Sequence, residues 1–364
     1  MRQRPQFCCS LSVLLAFAAY SGRPVLGAQT PRAPQAASAT PGAPALSRLT
    51  ATVDGHAFAV WARVPASPRG AVLLLHGRTW SSKPDFDLQV PGLHRSVLES
   101  LAEKGFAAYA LDQRGYGETP RDASGWLTPR RASADAAGVL AWVAARHPTL
   151  PKPALLGWSL GAATAHLTVA SLPPGLVSGV ILYGYAPRPD GIILPIEEPA
   201  RPPREKNTRE AAASDFVSPA VTPPAVVRAF VDAAMAADPI HVDWRNEEQF
   251  ICDSSRITVP TLLMYGERDT GVDPEEAGQF FAKLGTADKQ LVVFPGADHD
   301  IQLEDTHDAF IAAIVNFLTR PPASRRGTEP FSTDSADLGT ELGGETNRAL
   351  SPNRPNLWKR APSP

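Results

Sequence analysis

Short apolar runs alternate with longer amphipathic stretches between residues 49 and 320. The runs are nearly continuous in hydrophobic residues, which is typical of strands that are buried on both faces of a parallel sheet. The alternation of strand with helix therefore predicts an α/β fold, with a mostly parallel central sheet flanked by helices. The predicted strands are residues 71–75, 106–111, 154–156, 180–183, 261–265 and 290–294.

The amphipathic stretches repeat their apolar residues three or four positions apart, as helices packed on a sheet do. Ahead of them, residues 49–53 and 58–64 alternate apolar with polar or small residues. This pattern predicts an antiparallel hairpin at the sheet edge, which turns near Asp54 and Gly55. The predicted helices are residues 90–104, 129–146, 160–172, 274–284 and 305–320.

One gap interrupts this rhythm, because about 75 residues separate the strand ending at Tyr183 from the strand beginning at Thr261. Its first half is dense in proline, whereas residues 225–237 and 243–254 have helical patterns. We therefore predict a cap insertion over residues 187–255. The α/β core is then formed by residues 49–186 and 256–320.

The two ends of the chain differ from this middle part. The first 28 residues combine Arg2 and Arg4 with an apolar stretch and a small-residue end at Ala28, which is typical of a secretory signal peptide. An uncleaved anchor and a misassigned start codon remain alternatives. Residues 29–48 and 321–364 are rich in Pro, Ala, Ser and Gly and predict a disordered linker and tail. The prediction is an exported protein, periplasmic or extracellular.

Composition narrows the possible classes of function. The chain has 35 Lys and Arg against 37 Asp and Glu, a net charge of -2, which argues against a nucleic-acid footprint and an anionic membrane as partner. Removal of the signal would leave Cys252 as the single cysteine, so no intramolecular disulfide is possible. No zinc-type Cys/His spacing occurs, and we expect neither a metal nor a cofactor.

The strongest chemical signal is the sequence Gly157-Trp158-Ser159-Leu160-Gly161 between a predicted strand and a predicted helix. Such a turn exposes a serine nucleophile on a strained backbone, and glycines two residues to either side let it close. The alternative is a glycine-rich turn with a spectator serine.

This motif and its context resemble the α/β-hydrolase superfamily, and the elbow is similar to that of its carboxylesterases. The resemblance extends over residues 71–320 in motif order. It implies a Ser-acid-His triad in chain order and an oxyanion hole formed by two backbone N–H groups.

The acid and the base are sought after the late strands. Asp269 follows the strand 261–265 and is the candidate acid, with Glu267, Asp273 and the more distant Asp190 as alternatives. His299 follows the last strand and is the candidate base, because a near-neutral imidazole can take the serine proton and return it. His307 is the alternative histidine. A turn aspartate and a lone surface histidine are the non-catalytic interpretations.

His76-Gly77-Arg78 matches the superfamily's His-Gly-X turn, so the resemblance implies that the N–H groups of Arg78 and Leu160 form the oxyanion hole. His76 would then support the turn, and the Arg78 side chain would either bind an acidic substrate group or point to solvent.

A second turn of the family pattern, residues 112–117, implies a structural role in which Asp112 and Arg114 pair locally. Four aromatic residues indicate either an apolar acyl pocket or buried core positions. They are Trp80, Trp158, Phe230 and Trp244.

The sequence as a whole predicts a serine hydrolase that cleaves a carboxylic ester of a small-molecule acyl substrate through an acyl-enzyme on Ser159. An acyltransferase with the same triad and a non-catalytic binding protein of the same fold are the alternatives. The oligomeric state stays open.

Overall fold

The computed structural model describes residues 43–171, 175–187, 203–218, 220–251 and 253–321. Within these ranges one eight-stranded sheet has the order β1-β2-β4-β3-β5-β6-β7-β8. The first two strands form an antiparallel hairpin at one edge, and the strands from β3 to β8 run parallel, which confirms the predicted α/β class. The strands are β1 Ser47–Val53, β2 His56–Arg63, β3 Gly70–Leu75, β4 Phe106–Leu111, β5 Ala154–Trp158, β6 Val180–Tyr183, β7 Thr261–Gly266 and β8 Lys289–Phe294.

Helices cover both faces of the sheet, which explains why its strands are continuously apolar. Leu73 and Leu75 of β3 lie in a hydrophobic cluster with α3, α4 and α7, whereas Leu74 faces a second cluster that contains α2 and α8. The helices are α1 Ser82–Phe86, α2 Val97–Glu103, α3 Pro129–Arg146, α4 Leu160–Ser171, α5 Arg209–Ala213, α6 Pro224–Ala237, α7 Pro274–Lys283 and α8 His307–Thr319.

The helix predicted over residues 90–104 is shorter than expected, since α2 begins at Val97. Pro91 and Gly92 explain the difference: the glycine has a φ of 78°, and neither residue continues a helix well. Ser96 caps α2, and its hydroxyl accepts the N–H of Glu99.

Two other boundaries differ from the expectations. The predicted linker extended to residue 48, whereas β1 already begins at Ser47. The helix predicted over residues 243–254 is wrong, because the described residues of this segment form the 3₁₀ turn Glu247–Phe250 and the first residue of a second one, Ser254–Arg256. Asn246 has a left-handed φ of 57° and interrupts the segment.

Residues 203–218 and 220–251, which are most of the described part of the predicted insertion, are called the cap below. Helix α6 confirms the helix predicted over residues 225–237. Phe230 of α6 packs edge-on against Trp80, with ring centroids 6.3 Å apart, in a cluster that also holds Val90. The Asp238 carboxylate accepts the N–H groups of Ser81 and Gly117, both at 2.8 Å, and ties the end of α6 to the core.

Several predictions fall on residues that the structure does not describe. They include the signal peptide, residues 29–42 of the linker, nearly all of the tail, Asp190 and Cys252. Within the described ranges no helix combines the length and the hydrophobicity that a membrane span requires.

Candidate active site

Ser159 lies at the sharp turn between β5 and α4. Its φ of 52° is in the left-handed region, which non-glycine residues adopt only when the surroundings hold them there. The Ser159 N–H donates to the carbonyl of Tyr183 at 2.9 Å, and the Ser159 carbonyl accepts the N–H groups of Ala162 and Ala163. These bonds fix the strained turn at the carboxyl end of the sheet.

The two glycines of the motif are required by close packing. A Cβ at Gly157 would lie 2.3 Å from the carbonyl oxygen of Gly161, and a Cβ at Gly161 would lie 2.2 Å from that of Leu75. No side chain fits at such distances. The glycine spacing seen in the sequence thus follows from the approach of α4 to the strand ends.

His299 and Asp269 form a hydrogen-bonded pair. The His299 Nδ1–H donates to Asp269 Oδ2 at 2.9 Å, and the other carboxylate oxygen accepts the N–H of Gly271 at 2.8 Å. The Asp269 side chain is fully buried, whereas the His299 ring is 25% exposed. A buried carboxylate that holds Nδ1–H leaves Nε2 as the proton acceptor.

The structure brings His299 close to the serine turn. A Cβ at Gly184, directly after β6, would lie 3.0 Å from His299 Cε1 and 3.1 Å from the Trp158 ring. The Trp158 indole N–H also donates to the His299 carbonyl at 3.1 Å. Because Trp158 precedes Ser159, the histidine loop and the serine turn pack against the same indole.

The alternative acids have other roles in the structure. Glu267 accepts the N–H of Gly296 at 2.8 Å, and Asp273 caps α7 by accepting the N–H groups of Glu275 and Glu276. Neither carboxylate is bonded to His299.

The alternative base, His307, is enclosed at the start of α8. Its Nδ1–H donates to the Gln302 carbonyl at 2.6 Å, and its Nε2 accepts from the Ser100 hydroxyl at 2.9 Å. Burial lowers the pKa of His307 to about 4. Its two nitrogens are therefore occupied by structural bonds.

The turn after β3 is built around a neutral histidine. The Gln113 N–H donates to His76 Nε2 at 3.0 Å, so Nδ1 carries the proton that bonds to the Gly77 carbonyl at 2.9 Å. Burial lowers the pKa of His76 to about 4, which keeps the ring uncharged. Asp85 accepts the Gly77 N–H at 3.2 Å. These contacts agree with the supporting role that the resemblance implied for His76.

Arg78 is anchored by contacts that the sequence did not predict. The Tyr116 hydroxyl donates to the Arg78 carbonyl, and the Trp244 indole N–H donates to the Tyr116 hydroxyl at 2.8 Å. The Arg78 guanidinium forms an ion pair with Glu247 of the cap. The side chain is 43% exposed, and a carboxylate of the cap holds its guanidinium. Tyr116 was detectable from its place in the 112–117 turn, whereas Glu247 carried no sequence signal.

The predicted local pair of Asp112 with Arg114 is wrong. Arg114 binds Asp135 of α3 through two hydrogen bonds of 2.9 and 2.7 Å. Asp112 instead accepts N–H groups from Trp61 and Ser82, each at 3.0 Å, and burial raises its pKa to about 6. A guanidinium forms two parallel hydrogen bonds only with a carboxylate that lies in its plane and faces it, and Asp135 of α3 is such a carboxylate.

The four aromatic candidates are buried in three different hydrophobic clusters. Trp80 and Phe230 pack together between core and cap, Trp158 lies against the sheet, and Trp244 packs beside Tyr116. They therefore serve as core residues of separate regions.

Comparison with known proteins places this arrangement in a family. The family model described as serine aminopeptidase, S33, matches residues 66–306. A monoacylglycerol lipase of Mycolicibacterium smegmatis is 25% identical over 269 residues, which cover 69% of this chain and 88% of that protein.

Two solved structures share the fold. The 2-hydroxy-6-oxo-6-phenylhexa-2,4-dienoate hydrolase of Rhodococcus sp. strain RHA1 has a TM-score of 0.55 and 18% identity, covering 76% of this chain and 99% of that chain. A thermophilic esterase of Thermogutta terrifontis has a TM-score of 0.52 and 20% identity, covering 75% and 98%. The chain belongs to the serine aminopeptidase S33 family and is a serine hydrolase with the α/β-hydrolase fold.

Proposed function

We propose that this serine hydrolase cleaves a carboxylic ester through an acyl-enzyme on Ser159, with His299 as the base and Asp269 as the acid. The observation that carries the proposal is the 2.9 Å bond between His299 Nδ1 and the buried Asp269, beside a serine held at a φ of 52°. The relative named monoacylglycerol lipase supports an ester as the substrate.

The pair at His299 defines the proton path. With Nδ1–H bonded to Asp269, Nε2 takes the proton of the Ser159 hydroxyl while its oxygen attacks the ester carbonyl. The carbonyl π electrons move onto oxygen, and the oxyanion accepts the N–H groups of Arg78 and Leu160, each worth about 3 kcal/mol. Collapse breaks the ester C–O bond, and His299 returns its proton to the leaving alcohol. Water then cleaves the acyl-enzyme by the same steps.

The Arg78 N–H is suited to this role because its own peptide group and the groups around it are held. His76 Nδ1–H bonds the Gly77 carbonyl at 2.9 Å, which belongs to the same peptide group as the Arg78 N–H. Tyr116 bonds the Arg78 carbonyl, Asp85 bonds the preceding Gly77 N–H, and Glu247 pairs with the guanidinium. A donor that is oriented before the reaction costs no reorganisation when the charge develops. Part of this support comes from the cap, so we infer that the cap helps to order the oxyanion turn.

The test is covalent labelling of the purified protein with a fluorophosphonate probe, together with hydrolysis of p-nitrophenyl esters of increasing acyl length. We expect Ser159→Ala to abolish labelling, and both Ser159→Ala and His299→Ala to lower kcat by a factor of about 10⁴ or more. The exposed Ser214→Ala and the half-buried His147→Ala are matched controls that retain labelling and turnover. Labelling that persists in Ser159→Ala, or full turnover in His299→Ala, would refute the proposal.

The same triad can also serve an acyltransferase, in which an alcohol replaces water in the second half of the reaction. Product partition with added acceptor alcohols separates the two activities. A folded wild-type protein that shows neither labelling nor turnover would instead favour a binding protein of the same fold.

We also propose that the protein is exported, on the charge and hydrophobicity pattern of its first 28 residues. N-terminal sequencing of protein from the cytosolic and exported fractions tests this. A shortened N-terminus in the exported fraction is expected, and an intact N-terminus on cytosolic protein would refute it.

A further inference from the structure

A second group of histidine and carboxylates lies at the start of helix α2, apart from the serine turn. His94 Nε2 is 3.7 Å from Glu99 Oε1 and 3.6 Å from Glu103 Oε1. One ligand atom from each residue lies within 4.8 Å of the others. Glu99 and Glu103 are four residues apart in one helix, which puts them on the same face. Three side chains therefore converge on one point.

The burial and hydrogen bonding of Glu99 indicate that a ligand binds at this position. Its side chain is only 4% exposed, and its Oε1 atom has no hydrogen-bond partner. The other oxygen lies 3.9 Å from Arg63, which donates two hydrogen bonds to Asp87, at 2.8 and 3.2 Å, and one to the Pro44 carbonyl. A buried carboxylate oxygen without a partner is costly, because it has lost its water and gained nothing in return. This oxygen faces the point between His94 and Glu103.

The separations fit a bound cation better than direct hydrogen bonds. The distances from His94 Nε2 to Glu99 and to Glu103 both exceed 3.5 Å, which is too long for a hydrogen bond. A tetrahedral ion with metal–ligand bonds of about 2.0–2.1 Å separates its ligands by roughly 3.4 Å, so a small inward movement would complete the site. One imidazole and two carboxylates are typical zinc ligands, and imidazole discriminates against magnesium.

The surrounding charges are compatible with a cation. Asp87 and Glu99 lie beside the Arg63 guanidinium, whereas Glu103 faces His94. The adjacent Arg95 is directed elsewhere, because it pairs with Asp305 and bonds the Leu303 carbonyl. A divalent ion would balance the remaining negative charge.

We propose that His94, Glu99 and Glu103 bind a divalent transition-metal ion, with zinc as the best match. The ion would join the non-helical segment before α2 to the helix itself. That segment carries Leu88 and Val90, which pack in the hydrophobic cluster beneath the cap. The proposal is independent of the ester-hydrolase function.

The test uses the full mature chain after dialysis against a chelator, titrated calorimetrically with zinc chloride. We expect one zinc ion per chain, with binding at least about tenfold weaker in His94→Ala and in Glu103→Gln. Zinc at 100 times its Kd should raise Tm by roughly 5–10 °C, whereas magnesium chloride at the same concentration should not.

The controls separate this site from other possible zinc ligands. His147→Ala removes a histidine elsewhere and Cys252→Ser removes a thiol, and both should bind zinc as the wild type does. Ester hydrolysis by metal-free His94→Ala should equal that of the metal-free wild type. The proposal is overturned if the wild type binds no stoichiometric zinc, or if His94→Ala and Glu103→Gln bind it with unchanged affinity.

Discussion

His299 and His94 both face carboxylates, but the two groups differ in separation and in how each carboxylate is satisfied. His299 bonds directly to Asp269 at 2.9 Å, whereas His94 lies 3.6 and 3.7 Å from its two glutamates. Both Asp269 oxygens have partners, while Glu99 Oε1 has none. The first arrangement orients one proton, and the second leaves room for an ion. The distances and the hydrogen bonding of the carboxylate oxygens, more than residue type, distinguish the proposed catalytic pair from the proposed metal site.

Replacing the acid of each group should produce the largest contrast. Asp269→Asn is expected to lower kcat by a factor of about 10⁴, because an amide can stabilise the wrong histidine tautomer. Metal-free Glu103→Gln should have a kcat within about twofold of the wild-type value, since the His94 group lies outside the active site. Steady-state ester hydrolysis measures both. Glu267→Gln is the matched control beside Asp269, and an equal loss in Glu267→Gln would contradict the assignment of the acid.

The packing around His299 offers the next largest effect. In Gly184→Ala the new Cβ would lie 3.0 Å from His299 Cε1, so the ring must move, and we expect kcat/KM to fall roughly 10²-fold. Gly184 also has a φ of 57°, which strains any side chain.

Gly55→Ala separates these two causes, because Gly55 has a φ of 75° and open space where its Cβ would lie. It should cost stability without changing the kcat/KM of the folded protein. Equal kinetics in Gly184→Ala and wild type would show that the ring tolerates the contact.

A buried histidine without an adjacent carboxylate partner sharpens the comparison. His166 is 1% exposed, bonds the Tyr185 hydroxyl through Nδ1 at 3.0 Å, and has a pKa lowered by burial to about 4. Between pH 6.5 and 4 the unfolded chain binds a proton at this residue and the folded chain does not. Its contribution to stability is therefore present above pH 6.5 and is lost as the pH falls, by up to about 1.4 kcal/mol per pH unit.

His166→Gln removes this contribution. Urea unfolding at pH 7 and pH 5 should show the wild type losing about 2 kcal/mol more than the variant over that interval. Parallel losses in the two proteins would mean that His166 does not change its affinity for protons on folding.

The smallest effect is expected when Glu103, the most exposed carboxylate of the His94 group, is replaced in the metal-free protein. Glu103 is 29% exposed and its ion pair with His94 is solvated, so metal-free Glu103→Gln should change the free energy of unfolding by less than about 1 kcal/mol. Urea unfolding in the presence of a chelator measures this. Addition of zinc should stabilise the wild type and leave the variant almost unchanged, and a larger loss without metal would indicate a structural ion pair instead.

The repeating pattern of the chain was sufficient to predict the parallel strands, because strands buried on both faces must be apolar throughout. Helix α3 was predicted over residues 129–146, which are its observed bounds. The helix predictions were wrong where tertiary contacts compete with a weak local pattern. Around residues 243–254, the packing of Trp244 and Phe250 against Tyr116 and Leu127 takes precedence over helix propensity.

The sequence by itself determined the α/β class, the Gly157–Gly161 turn and a short set of acids and bases, since these depend on local periodicity and on glycines where no Cβ fits. Only the tertiary structure decided that His299 bonds Asp269 rather than Glu267 or Asp273. It alone paired Arg78 with Glu247, 169 positions away, and brought His94 to the same point as two glutamates. The physical reason is that hydrogen bonds and ligand sites are set by distances of a few ångströms through space, which packing between remote elements fixes.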